Sequence, residues 1–186
     1  MLNHSYRVDS RYLSEGWIDR IKVPPPPSSA KEISKELEIL ISLKSLRTVN
    51  TKNRILEERN RLNFRFGKYS FSQLSALDAD CINYFDYVNV SGVVFYYKRK
   101  FDRIRASFLS SEIQPIISNP GHPAYPSGHS TEAHLIAYLL IELRVEFKER
   151  ALKSAQEIAL NREIAGVHYR SDSIAGRSLA RYILKE

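Results

Sequence analysis

The chain has 186 residues, 43% of them hydrophobic and 26% charged, with a formal charge of +7. That length and balance fit one globular domain with a sizeable core, and no apolar run approaches the ~18 residues a membrane span needs. Cys81 is the single cysteine, which excludes an internal disulfide framework and suits a reducing compartment. The basic excess favours anionic partners, but Lys and Arg are scattered, and most of the charge reads as solvated surface. The N-terminus has no basic segment followed by an apolar one, so the expected location is cytoplasmic, or periplasmic if a signal segment has been removed.

Residues 1–23 lack clear periodicity, and Pro24 to Pro27 form a stiff extended segment that carries an N-terminal arm over the domain surface. Ser29 and Glu32 have capping-box spacing, opening a helix to about Arg47 with Ile33, Leu37, Leu40 and Ile41 on one face. A second, more polar helix is predicted over residues 52–62. Gly67 marks a turn, and a third helix spans Ser72 to Val90. Gly92 separates it from an apolar-to-basic helical segment, Val93 to Phe108. Four prolines make residues 113–126 a loop. Helices follow from Ser130 to Phe147, from Arg150 to Ile164 with Gly166 ending it, and from Asp172 to Leu184. Strand signals are poor, so the fold class is all-α: a compact helical bundle without an internal repeat.

Three separated pieces carry the chemistry. Lys98 and Arg105, seven apart, would share a helical face about 10 Å apart along its axis and hold an anion between them; alone, they read rather as a solvent-facing basic stripe. Pro126-Ser127-Gly128-His129 sits where a loop enters a helix. Helix starts offer unpaired N–H groups and a positive dipole end, and His129 is placed to give a proton to a leaving oxygen. The bland alternative is a capped helix with a half-exposed histidine. Arg162, His168 and Asp172 form the third piece. A carboxylate four residues after His168 reaches one ring nitrogen and raises the nucleophilicity of the other, although surface His-Asp pairs are common. Together the pieces supply three cations, two imidazoles and one carboxylate, the inventory for holding a tetrahedral oxyanion and transferring it through a histidine.

The set Lys98-x6-Arg105, Pro126-Ser127-Gly128-His129 and Arg162-x5-His168-x3-Asp172 closely resembles the three signature motifs of the type 2 phosphatidic acid phosphatase (PAP2) superfamily, which includes bacterial class A acid phosphatases and vanadium-dependent haloperoxidases. The resemblance implies a single helical catalytic domain over residues 28–186 behind the arm of residues 1–27. It implies a phosphomonoesterase in which Lys98, Arg105, Arg162, Ser127 and the Gly128 amide hold phosphoryl oxygens. His168 would attack phosphorus, Asp172 would orient it, and His129 would protonate the leaving alcohol and then activate water. No metal or other cofactor is required on that route. The runner-up is a haloperoxidase with vanadate resident in the same pocket, although haloperoxidases are generally much larger chains. Two positions depart from the pattern: Ala106 stands where Pro usually follows the arginine, and Asn161 where Ser usually opens the third motif.

The implied partner is a phosphorylated small molecule, with no nucleic acid and no membrane span; compact members of the superfamily often pair, which leaves a homodimer open. A polyanion-binding protein is the rival from another class, since aromatic and basic residues interleave from Tyr96 to Phe101, but no nucleic-acid module accompanies them. A metal hydrolase is weaker, because His129 and His134 are five residues apart rather than the four that align two imidazoles. Substrate choice would fall to residues 113–125 and the arm, which carry no pattern that names a substrate.

Overall fold

The computed structural model describes residues 16–59, 90–143 and 145–185. Among them, seven α-helices and no strand are found. We number these α1 (Trp17–Arg20), α2 (Ala30–Ser42), α3 (Val49–Glu58), α4 (residues 90–101), α5 (Gly128–Leu143), α6 (Lys148–Ile164) and α7 (Arg170–Leu184). Short 3-10 turns occupy Leu43–Leu46, Ala106–Phe108 and Val145–Phe147. The described residues are thus all-helical in their regular structure, as the periodicity predicts. The helix predicted for residues 72–90 and the turn at Gly67 lie, apart from Val90, outside the described residues.

Local chemistry explains most of the boundaries. Ser29 and Glu32 close a reciprocal capping box on α2, satisfying donors that a bare helix start leaves unpaired. Thr48 caps α3 by accepting the Thr51 N–H at 3.2 Å. Gly166 ends α6 at φ 79°, a left-handed conformation that glycine adopts without steric cost.

Two expectations are corrected. Gly92 does not separate two helices, because residues 90–101 are continuously helical through it. Nor does that helix continue to Phe108: Asp102, at φ 42°, turns the backbone out of it. Arg105 follows in an extended conformation, so Lys98 and Arg105 do not share a helical face. An aspartate can adopt positive φ at modest cost, a local signal that the basic stripe concealed.

Helix α5 lies at the centre, packed against both α6 and α7. Small residues permit close approach to α6, where Ala133, Ile136, Ala137 and Leu140 meet Ala151, Ala155 and Ile158. On another side, Val93, Val94 and Tyr97 of α4 join Leu135, Leu179 and Ile183 with Trp17, Ile21 and Val23 of the N-terminal segment. Each fully buried Leu or Ile here contributes roughly 2 kcal/mol. The segment after α1 is held by two tyrosines: Tyr97 donates its hydroxyl to the Ile21 carbonyl, and Tyr125 donates to the Pro24 carbonyl at 2.6 Å. These contacts leave the ends of α3 and α4, the start of α5 and the α6–α7 junction facing one another.

Candidate active site

The α6–α7 junction supplies His168 and Asp172. His168 is 4% exposed and Asp172 is fully buried. Nδ1 of His168 lies 3.1 Å from Asp172 Oδ2, which also accepts the Tyr169 N–H at 3.0 Å. A carboxylate only accepts, so Nδ1 carries the ring proton and Nε2 keeps its lone pair. Burial lowers the His168 pKa well below its usual value, and the charges of Lys98, Arg105, His129 and Arg162 lower it further. The fold therefore gathers these residues, far apart in sequence, around one neutral imidazole.

Each cation reaches this place differently. Arg162, near the end of α6, is 1% exposed. Its Nη2 donates to the Ile55 carbonyl at 3.0 Å and lies 3.4 Å from Glu58 Oε2, while its buried Nε–H has no partner. An unpaired buried donor costs about 1–3 kcal/mol, and a ligand oxygen is the natural means of satisfying it. Arg105 donates Nη1 to the Val167 carbonyl, beside His168, and Nε to the His122 carbonyl at 3.2 Å. Burial lowers its pKa to about 10.

Lys98 spends all three ammonium protons on the loop ahead of α5, donating to the carbonyls of Pro123, Ala124 and Pro126 at 2.7–2.9 Å. Burial, and then the neighbouring Arg105 charge, lowers its pKa to about 7.

Ser127 lies at the loop-to-helix transition, as its motif predicts. Its Oγ accepts the Ser130 N–H at 3.3 Å, and its own N–H donates to the Asp172 carbonyl at 3.0 Å, tying the start of α5 to α7. Gly128 is the first residue of α5. His129 follows, with Nε2 3.2 Å from the Glu58 carbonyl. A carbonyl only accepts, so Nε2 bears the proton there. Burial and the Arg162 charge lower the His129 pKa to about 4.

Sequence reasoning missed three residues around this pocket. Glu58, the last residue of α3, is buried, and its two carboxylate oxygens accept from Asn161 Nδ2 at 2.9 and 3.0 Å. Arg103 donates to Asp172 Oδ1 at 2.6 Å and to Ser171 Oγ at 2.7 Å, and it is ion-paired with Glu36 of α2. No local pattern marks Glu36 or Glu58, because each meets its partners only through tertiary packing. Arg103 lies inside the first motif, and its alternation with Arg105 on an extended segment was its one available signal. His122 is half-buried between Arg105 and the Phe95 ring, whose centroid is 5.2 Å away. His134 is packed: it is 2% exposed, and its Nδ1 donates to the Ser130 carbonyl at 2.7 Å. Among the described residues, no group of three or more His, Cys, Asp or Glu side chains is arranged to hold a metal ion, and no helix is long and apolar enough to cross a membrane.

The described residues therefore define an all-helical class of protein with a buried histidine set among cations where its helices meet. A family model described as the PAP2 superfamily matches residues 83–185, and the chain belongs to that superfamily. A non-specific acid phosphatase of Providencia stuartii is 33% identical over 89 residues, which are 45% of this chain and 35% of that protein, so the match spans about a third of the relative's length. The fold resembles a transmembrane PAP2-type phosphatidylglycerolphosphate phosphatase from Bacillus subtilis, with a TM-score of 0.61, 17% identity and 84% of each chain covered. It also resembles a bacterial vanadium-dependent iodoperoxidase, with a TM-score of 0.54, 18% identity, and 88% of this chain and 52% of that one covered.

Proposed function

We propose that the protein is a metal-independent phosphomonoesterase working through a phosphohistidine. The observation that carries this reading is the buried His168–Asp172 pair set among cations, one of which, Arg162, has a buried N–H without a partner. Within the PAP2 superfamily, the similarity to a non-specific acid phosphatase favours phosphoryl over other oxyanion chemistry.

In this mechanism Arg105 and Arg162 grip the phosphoryl oxygens with the Ser127 hydroxyl and the N–H groups at the start of α5. Lys98 holds the loop ahead of α5 and adds its charge. His168 Nε2 forms a bond to phosphorus as the ester P–O bond breaks, and Asp172 stabilises the positive charge that develops on the ring. The leaving oxygen takes a proton from His129. Bound phosphate raises the proton affinity of His129 by supplying negative charge beside it. In the second step His129 removes a proton from water, whose oxygen attacks phosphorus, and the P–N bond breaks to release inorganic phosphate and free His168. The fixed cations supply the charge stabilisation that other phosphoryl-transfer enzymes take from magnesium. An oxyanion such as vanadate fits the same donors, which makes it an inhibitor on this reading.

The test is hydrolysis of p-nitrophenyl phosphate, with vanadate as inhibitor. Acid–base quenching should trap an acid-labile, base-stable phosphoenzyme. His168→Ala should lose turnover by at least about a thousandfold with the fold intact. Absence of phosphate release across acidic to neutral pH refutes the reading, and vanadate-dependent oxidation of halide by peroxide would put the haloperoxidase in its place.

A further inference from the structure

Behind His168 the contacts continue past Asp172 in a line of alternating charge. Asp172 offers Oδ2 to His168 and to the Tyr169 N–H, and Oδ1 to Arg103 Nη1 at 2.6 Å. The Arg103 guanidinium lies 3.8 Å from the Tyr169 ring centroid, and its second arm meets Glu36 Oε2. Glu36 Oε1 accepts the Ser171 N–H at 2.9 Å, returning the line to the first turn of α7. Arg103 and Glu36 are each 8% exposed, so neither is a surface ion pair. A merely structural arginine would serve to attach α2 to α7. This one also donates, at 2.6 Å, to the carboxylate that faces the candidate nucleophile.

We propose that Arg103, held from behind by Glu36, is the positioning residue that keeps Asp172 ionised and turned toward His168, so that the imidazole presents Nε2 to the substrate. The inference rests on the phosphohistidine reading for its kinetic consequence, though not for its structural one. Asp172 is fully buried, and burial alone drives a carboxyl toward its neutral form. A neutral acid would lose the pure acceptor character that fixes the proton on Nδ1. Arg103 supplies the opposing charge and one of the fixed bonds. Its planar fork can hold Asp172 and Glu36 together, whereas the single ammonium of a lysine cannot span both.

The experiment compares the wild type with Arg103→Met and Arg103→Lys. In Arg103→Met, kcat for p-nitrophenyl phosphate should fall about 10- to 100-fold, the usual effect of losing a partner that orients a reacting group, while KM stays within about twofold. In 15N-histidine spectra the wild-type His168 ring should show the Nδ1–H tautomer, and Arg103→Met should lose that preference. Arg103→Lys, which keeps a charge opposite Asp172, should recover part of kcat. A folded Arg103→Met in which either kcat or the His168 tautomer is unchanged overturns the proposal. If Arg103→Met does not fold, Arg103→Lys decides: about a tenfold loss of kcat at constant KM supports the proposal, and full activity overturns it. The tautomer is read without turnover. A wild type inactive on phosphate esters would therefore count against the proposed function and leave the role of Arg103 decidable.

Discussion

Gly176 offers a sharp test of how the site is assembled. It lies in α7, where a Cβ would meet the Ser127 carbonyl oxygen at 2.6 Å, Ser130 Cβ at 2.9 Å and Thr131 N at 3.1 Å. Two of these atoms are backbone, so the neighbour cannot give way by a side-chain rotation. Restoring an ordinary contact of 3.4 Å requires α5 to retreat from α7 by about 0.8 Å. In Gly176→Ala the better helix propensity of alanine returns at most about 1 kcal/mol, against about 1–3 kcal/mol for overpacking. With the full offset the net loss is up to about 2 kcal/mol and should lower Tm by up to about 8 °C. On the proposed function, the larger consequence is for catalysis. The displaced turn carries Ser127, Gly128 and His129, and a misplacement approaching 1 Å can cost about a hundredfold, so kcat for p-nitrophenyl phosphate should fall about 10- to 100-fold. Gly121, around which a Cβ would meet nothing within 4 Å, supplies the control, with Gly121→Ala expected to match the wild type. A Gly176→Ala protein with unchanged kcat and a Tm within about 1 °C of wild type would refute the helix contact as the device that sets the site.

Other outcomes follow from buried charge. Glu58 places a carboxylate on Asn161 and Arg162, so Glu58→Gln should cost about 2 kcal/mol of stability yet tighten vanadate inhibition about tenfold by removing a like charge from beside the anion. Thermal melts with and without vanadate, together with the inhibition constant, read both effects, and weaker inhibition would contradict the placement. His134 has its pKa lowered to about 4 by burial, and its Nε2 is buried without a partner. Between that value and 6.5 the unfolded chain binds the extra proton, so stability falls as pH falls through this window. His134→Leu should therefore lose about 2 kcal/mol less than wild type between pH 7 and pH 4.5, measured by urea titration at each pH. Equal losses in the two proteins would show that His134 is not held neutral.

Much of this protein is legible locally. The capping box at Ser29 and Glu32, the glycine stop at Gly166 and the proline-rich loop before α5 are each written in a few adjacent residues, because caps and turns are short-range chemistry. His168 and Asp172 are legible for the same reason: one helical turn joins them. The path after Lys98 is less so. Seven residues of basic and aromatic character suit a helix, and only the backbone conformation of Asp102 diverts the chain, so that Arg105 reaches the Val167 carbonyl from an extended segment. The use of Lys98 is also a tertiary matter, since its three acceptors are loop carbonyls that come within reach only when that loop packs over α4.

The sequence by itself determined the helical class, the caps, and the kinds of groups brought to the pocket: cations, imidazoles and a carboxylate at family spacings. Tertiary structure alone decided which carboxylates stand behind those groups. Glu36 meets Arg103 and the start of α7 across 67 and 135 residues, and Glu58 meets Asn161 across 103. Buried charges must be compensated wherever the fold places them, and chain order carries no record of that place.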